Sequence, residues 1–273
     1  MSLYNVHHLH IDPKVFQHPS DKAISDKIQN NSAFSTALDF INKNGLERML
    51  YSLYYSSFIH ITERTGPELV AMCQEAADMF GLEKTPELFL SRSYDLFGRV
   101  MGTTKPVLLY STEFIHLLDG VPLFGALACN VAATRTGYSQ IRTIDQLVSE
   151  FGSFLPPIVT LSLRELLKQW RKTAQYTADR ATLLAVGDFN LAMQVILSGE
   201  IPMNVLKKID FADPNCSYMK QCLEFEADKG KVTNAMRTLN KISTSGAMYA
   251  SRYLELYDFY HHEYDDLMED YAQ

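Results

Sequence analysis

Between Ser32 and Phe58 the apolar residues Phe34, Leu38, Ile41, Leu46, Met49, Leu50 and Leu53 recur at mixed three- and four-residue steps. That spacing predicts one longer helix over Ser32–Phe58, with Gly45 weakening its middle. Before it, Ser20 and Asp21 are the expected caps of a first helix. After it, Thr65-Gly66-Pro67 starts a third helix, which Gly81 ends. The pattern then shortens. Glu87–Ser91 (ELFLS), Arg99–Met101 and Val107–Ser111 (VLLYS) read as strands separated by Gly98, Gly102 and Pro106. Ser111 or Thr112 caps the next helix. Leu123–Thr134 is apolar, alanine-rich and without a polar face, which predicts burial on most sides. Pro156-Pro157 introduces a helix from Ile158 through Trp170 and Ala178 to Val186, broken by Gly187 and Asp188. Further helical segments follow, interrupted by Pro202 and by Asp213-Pro214. The expected class is mainly helical α+β, with a small three- to four-stranded sheet and a central pair of buried helices.

Composition narrows the function classes. The chain has 273 residues and a net charge of −7, from 25 basic and 32 acidic side chains. No wholesale nucleic-acid binder is expected, because neutralising phosphates needs an excess of Lys and Arg. The apolar stretches Val107–Tyr110, Val121–Cys129 and Phe154–Leu163 fall short of the ~20 residues a spanning helix needs, so no membrane span is expected. Cys73, Cys129, Cys216 and Cys222 form no CxxC pair and are too sparse for a disulfide scaffold, which points to buried thiols and a cytoplasmic location.

Two segments carry the chemistry. Gly125–Ala133 places Cys129 and Ala133 four apart on one helix face, and Trp170–Ala181 does the same for Gln175 and Asp179. Around them, in order, lie Phe16-Gln17-His18-Pro19, Gly45-Leu46-Glu47-Arg48, Pro86-Glu87-Leu88, Lys105-Pro106, Leu117-Leu118-Asp119 and Ala178-Asp179-Arg180-Ala181. With these features the chain resembles metallopeptidase family forty-eight, which includes HtpX and the CAAX-prenyl endopeptidases. The resemblance runs through most of the chain and fades near Arg252. It implies a gluzincin-like fold, with HExxH on one helix, ExxxD on a second and a small sheet in front.

The same resemblance shows what has gone. HExxH falls on Cys129-Asn130-Val131-Ala132-Ala133, so both histidines and the general-base glutamate are replaced. The third ligand falls on Gln175, and only the aspartate persists, as Asp179. A later family histidine falls in Ser243-Thr244-Ser245-Gly246, with Thr244 as its relic position, and the substrate-facing Asn-Ala of the family reads Phe97-Gly98. Catalytic zinc takes three protein ligands plus water. Ala133 offers no donor, Gln175 is a neutral amide, and Asn130 takes up no proton near neutral pH. No catalytic residue, no bound metal and no cofactor are therefore expected. Cys129, Ala132 and Ala133 read as core packing rather than as a nucleophilic site. A buried Asp179 needs a partner, for which Arg135, Arg171 and Arg180 are the candidates.

Tyr253, Tyr257, Tyr260, Tyr264, Leu267 and Tyr271 form a stripe on a last helix, among Glu255, Asp258, Glu263, Asp265, Asp266, Glu269 and Asp270. The stripe either docks on the protein's own body or forms an interaction surface. The expected organisation is a peptidase-like domain over residues 1–252 and this acidic helix over 253–273. The expected function is an inactive peptidase relative that binds or assembles with protein. Phe97, Arg99, Tyr253, Tyr257, Tyr260 and Tyr264 are its contact candidates, through strand addition or self-assembly. The alternative is a zinc endopeptidase whose metal site is rearranged around Cys129 and Asp179. The histidines His7, His8, His10, His116, His261 and His262 form no convincing ligand set, and no phosphate loop or nucleophile elbow is present.

Overall fold

The computed structural model describes residues 10–92, 98–150, 155, 157–228 and 247–272. Helices α1 (Pro13–Phe16), α2 (Pro19–Gln29), α3 (Ser32–Lys43) and α4 (Leu46–Ser57) come first, followed by strand β1 (Ile59–Ile61) and α5 (Pro67–Met79). The single helix expected over Ser32–Phe58 is two. Gly45 sits at φ +64° and opens α4 instead of weakening a continuous helix, because the left-handed region that glycine tolerates turns the chain. The expected first-helix caps are also displaced. His18 is the N-cap of α2, its Nδ1 accepting the Ser20 N–H at 3.2 Å, with Pro19 at the first helical position.

Strands β2 (Glu87–Ser91), β3 (Arg99–Met101) and β4 (Val107–Ser111) match the expected segments. The sheet order is β1-β2-β4-β3, with β2 and β4 parallel and both edge pairs antiparallel. β1 was not foreseen: its three residues are too few to show an alternating pattern beside a helix. The sheet has two apolar faces. Phe89 and Val107 pack with Tyr54 and Met101 beneath α4, whereas Leu88, Leu108, Val100 and Tyr110 join the main core. On the α4 side Glu87 accepts the hydroxyls of Tyr51 and Tyr55 at 2.8 and 2.9 Å and pairs with Lys105, whose ammonium lies 4.8 Å from the Tyr51 ring centre. Glu47 accepts the N–H groups of Thr103 and Thr104 at 2.6 and 2.7 Å, fastening the β3–β4 turn to the start of α4.

After α6 (Thr112–Leu117) come α7 (Gly120–Ala133), α8 (Tyr138–Glu150) and the 30-residue α9 (Pro157–Val186). Then follow α10 (Phe189–Leu197), α11 (Met203–Leu206), α12 (Ser217–Ala227) and α13 (Tyr249–Phe259). A π turn at Tyr260–Tyr264 leads into α14 (Asp265–Ala272). Helices α7 and α9 form the most extensive helix pair, with α5 and α10 also against α7. Gly125 permits this approach: a Cβ there would lie 2.4 Å from Val186 Cγ1.

The last helices are part of the body. Tyr253, Leu256, Phe259 and Tyr264 belong to the main core, so that core crosses the 252/253 boundary. Tyr253 is fully buried and donates its hydroxyl to the Phe211 carbonyl at 2.7 Å. Phe189 receives Tyr253, Tyr257 and Tyr260 at ring separations of 5.1–5.8 Å. As a correction, Tyr253 and Tyr264 do not form an outward contact surface, since their rings are spent on the chain's own core. Tyr257 and Tyr260 are half-buried.

Asp21 on α2 is fully buried, and among the described residues no cation is bonded to it. Its carboxyl meets the Tyr138 and Thr177 hydroxyls at 2.7 Å each, the Gln17 amide at 3.2 Å and the Ser25 hydroxyl at 3.3 Å. Burial pushes its pKa above the ordinary carboxyl value, although these four hydrogen bonds oppose it. Tyr138 Oη also lies 3.1 Å from the Ala174 carbonyl but has one hydrogen to give. Its single hydrogen is shared between the Asp21 carboxyl and the Ala174 carbonyl, the shorter contact being to Asp21.

Two outcomes follow from the packing. Gly125→Ala lowers unfolding free energy in urea by about 1–3 kcal/mol through overpacking, in spite of the helix propensity it gains. Val186→Ala in the same chain recovers part of that loss, and simple additivity of the two would contradict it. A raised native pKa at Asp21 means a contribution that is largest below the unfolded value and fades as pH rises through the native value. Asp21→Asn therefore gains stability relative to the parent chain as pH rises from 4 to 8, read from thermal midpoints; a constant difference would contradict it.

Candidate functional site

The positions singled out lie on the two packed central helices, and Cys129 and Asp179 are near enough to interact electrostatically. Cys129, Asn130 and Ala133 lie on α7, and Gln175 and Asp179 on α9. Thr244 and Phe97 lie outside the described residues. α7 is capped by Asp119, whose carboxylate accepts the Gly120 N–H at 2.8 Å. Its small residues, with Ala128 and Ala132 fully buried, let it lie among α5, α9 and α10.

Each polar group at these positions has an internal partner. The Cys129 thiol donates to the Ala126 carbonyl at 3.2 Å, and burial pushes its pKa up to about 11. A thiol so placed stays protonated at neutral pH and is a poor nucleophile. The Asn130 amide donates to Tyr110 Oη at 2.7 Å, and Tyr110 donates in turn to the Ala126 carbonyl at 2.8 Å. Gln175 Oε1 accepts the Ala247 N–H at 2.7 Å. Ala133 is 7% exposed and supplies only a methyl group.

Asp179 is paired, but with none of the three arginines proposed from the sequence. Arg252 on α13 grips it with two bonds, Nε to Oδ2 at 2.9 Å and Nη2 to Oδ1 at 2.6 Å. The side chains are 3% and 14% exposed. Burial pushes the Asp179 carboxyl up, and the guanidinium pulls it back. Of the other candidates, Arg171 makes a two-pronged bond to Asp145, Arg180 reaches Glu263 at 3.3 Å and covers the Phe259 ring, and Arg135 is exposed. Those three were nearer Asp179 in sequence, but the fold turns them to other partners.

His18 adds a second tie to α13. Its Nδ1 accepts from Ser20, so Nε2 carries the hydrogen, which it donates to Glu255 at 3.0 Å. Its own N–H donates to Thr177 at 3.0 Å. Residues Arg252, Tyr110 and Ala247 were missed from the sequence. No local pattern marks them, since each meets the helix pair only through the tertiary fold.

The donor set does not match what a catalytic zinc ion takes. Two donors of the required type remain, the Cys129 thiol and the Asp179 carboxylate. The first is protonated and the second has both oxygens held by Arg252. Among the described residues no group of three or more His, Cys, Asp and Glu side chains is placed to hold a metal ion.

At the sheet, Arg99 opens β3 opposite Leu109 and is half-buried. The rim beyond β3 is partly taken, because the Gly102 N–H donates to Thr143 of α8 at 2.8 Å. No helix among the described residues is long and apolar enough to cross a membrane.

Comparison with known proteins gives one distant likeness. The chain is 22% identical over 200 residues to the plastoglobule-localized metallopeptidase 48, chloroplastic, of Arabidopsis thaliana, covering 68% of this chain and 56% of that protein. The chain thus spans little more than half the length of the curated relative it matches. No family model matches the chain, and no solved structure matches it. The likeness supports a metallopeptidase-like family as the coarse reading, on a mainly helical α+β fold.

The Asp179–Arg252 pair generates a sharp expectation. Arg252→Met strands a buried carboxylate and costs about 3–5 kcal/mol in urea unfolding. Adding Asp179→Leu removes the stranded charge and restores most of that loss. A double variant as unstable as the single one would contradict the assignment.

Proposed function

We propose that this chain is a catalytically inactive relative of zinc peptidases that serves as a protein-binding or assembly module. One observation carries the reading: among the described residues, the polar groups at the positions that align with the catalytic ones are engaged inside the chain. Asn130 is bonded to Tyr110, Gln175 to the backbone of residue 247, and Asp179 to Arg252. Peptide hydrolysis by a metal-bound water needs a Lewis acid and a group that accepts the water's proton. An asparagine amide accepts none near neutral pH, and a carboxylate clamped by guanidinium is a poor ligand.

Binding without cleavage needs neither group. An edge strand holds an extended segment through backbone hydrogen bonds. The Arg99 end of β3 is the candidate here, because the Gly102 end is already bonded to α8. Of the contact candidates on the stripe, Tyr257 and Tyr260 are partly exposed. The relative's printed name places that protein at the plastoglobule of a chloroplast; the cysteine usage of this chain supports a reducing compartment.

Elemental analysis of the purified chain, with a fluorescent casein assay, tests the proposal. The expected result is far less than one zinc per chain, a thermal midpoint unmoved by chelator, and no hydrolysis. Stoichiometric zinc with chelator-sensitive cleavage would overturn it in favour of a rearranged metal site.

A further inference from the structure

The first turns of α9 have two unlike sides. Leu155, Val159 and Leu163 are at most 4% exposed and anchor this end in the core. On the other side Ile158 and Leu161 are 72% and 66% exposed, the two most exposed large apolar side chains among the described residues. Three residues apart on a helix, they form one apolar tip. Behind the tip, α9 carries the exposed Arg164 and the half-buried Lys168, with the exposed Glu165 as the intervening acid. Glu165 accepts a hydrogen bond from the Gln169 amide at 3.2 Å. Among the described residues neither Arg164 nor Lys168 has an ion-pair or hydrogen-bond partner, unlike Arg171 and Arg180 further along. Long side chains on a helix lean toward its N-terminus, so both cations extend toward the tip while their alkyl stems run beside it.

We propose that this end of α9 docks on an anionic lipid surface. Ile158 and Leu161 enter the boundary of the acyl region, and Arg164 and Lys168 meet headgroup phosphates. Charge complementarity singles out this occupant: the chain carries −7 overall, yet among the described residues its most exposed apolar side chains are backed by two cations that have no ion-pair partner there. The acids of the last helices do not cancel the attraction. Glu263 meets α9 at Arg180, 22 residues from Ile158 or about 33 Å along the helix. At physiological salt, charge is screened within ~8 Å. Neither signal suffices alone, because a short apolar insertion or a few basic residues holds a protein only marginally, whereas the two together give reversible surface binding. This is contact with a surface and involves no span, and it does not rest on the peptidase-like reading.

Co-sedimentation of the full chain with phosphatidylcholine vesicles, with and without phosphatidylserine, tests it. The chain is expected to pellet with the phosphatidylserine vesicles, to stay in solution with phosphatidylcholine alone, and to be released by raised salt. Ile158→Ser with Leu161→Ser should weaken binding by about tenfold or more. Arg164→Gln and Lys168→Gln should each weaken it by about fivefold at low salt. Ile158, Leu161 and Arg164 are exposed and Lys168 is half-buried, and an unchanged thermal midpoint confirms that each variant is folded. Failure to pellet with phosphatidylserine vesicles would overturn the proposal, as would pelleting that these substitutions leave unchanged. Self-association through Ile158 and Leu161 without vesicle binding would assign the tip to a second copy and equally overturn it.

Discussion

A carboxylate enclosed between packed helices must be matched by a cation or must keep its proton, and Asp179 sets that condition at the centre of this protein. The cation comes from Arg252, 73 residues away, and brings α13 onto α9. With α13 seated, Tyr253 fills the space between Phe189 and Tyr218, and Glu255 comes within reach of His18. The C-terminal helices are held from both sides: Arg180 bonds Glu263, and the Tyr271 hydroxyl accepts the Asp12 N–H at 3.0 Å. One buried charge thus links the start, middle and end of the chain.

Asp21 meets the same problem differently. Its surroundings are hydroxyls and an amide, and burial raises its pKa. The Tyr138 hydroxyl lies between this carboxyl on α2 and the Ala174 carbonyl on α9. Burial pushes both carboxyls up, and what opposes it is a guanidinium at Asp179 and neutral hydrogen-bond donors at Asp21. Neither arrangement leaves a free base facing the α7–α9 pair, in keeping with the proposal that binding has outlasted chemistry.

The likeness to a longer metallopeptidase covers the scaffold, but function lies in the site. At the α7–α9 pair Cys129 and Ala133 keep α7 narrow, Gly125 lets α9 approach, and Asn130 turns its amide to the Tyr110 hydroxyl. Small side chains and internal hydrogen bonds pack this region without opening a void.

The sequence by itself determined the helical class, three strands, an apolar helix expected over Leu123–Thr134 and found over Gly120–Ala133, and the long helix ending at Val186. Each of these is periodic over enough residues, or bounded by Gly and Pro clearly enough, to be legible locally. The chemistry available at positions 133 and 130 was equally legible, because an alanine supplies no donor and an asparagine amide accepts no proton near neutral pH in any fold. The three-residue β1 and the break at Gly45 were not legible, since strand pairing and a left-handed turn depend on what the rest of the chain offers. Asp179's partner was beyond local reading too: Arg135, Arg171 and Arg180 were plausible by proximity, but partner choice was made by α13 crossing α9. The tyrosine stripe shows the same limit. Its spacing marked one apolar helix face, and only the tertiary structure decided that the face turns inward, because periodicity specifies which side is apolar and packing specifies what covers it.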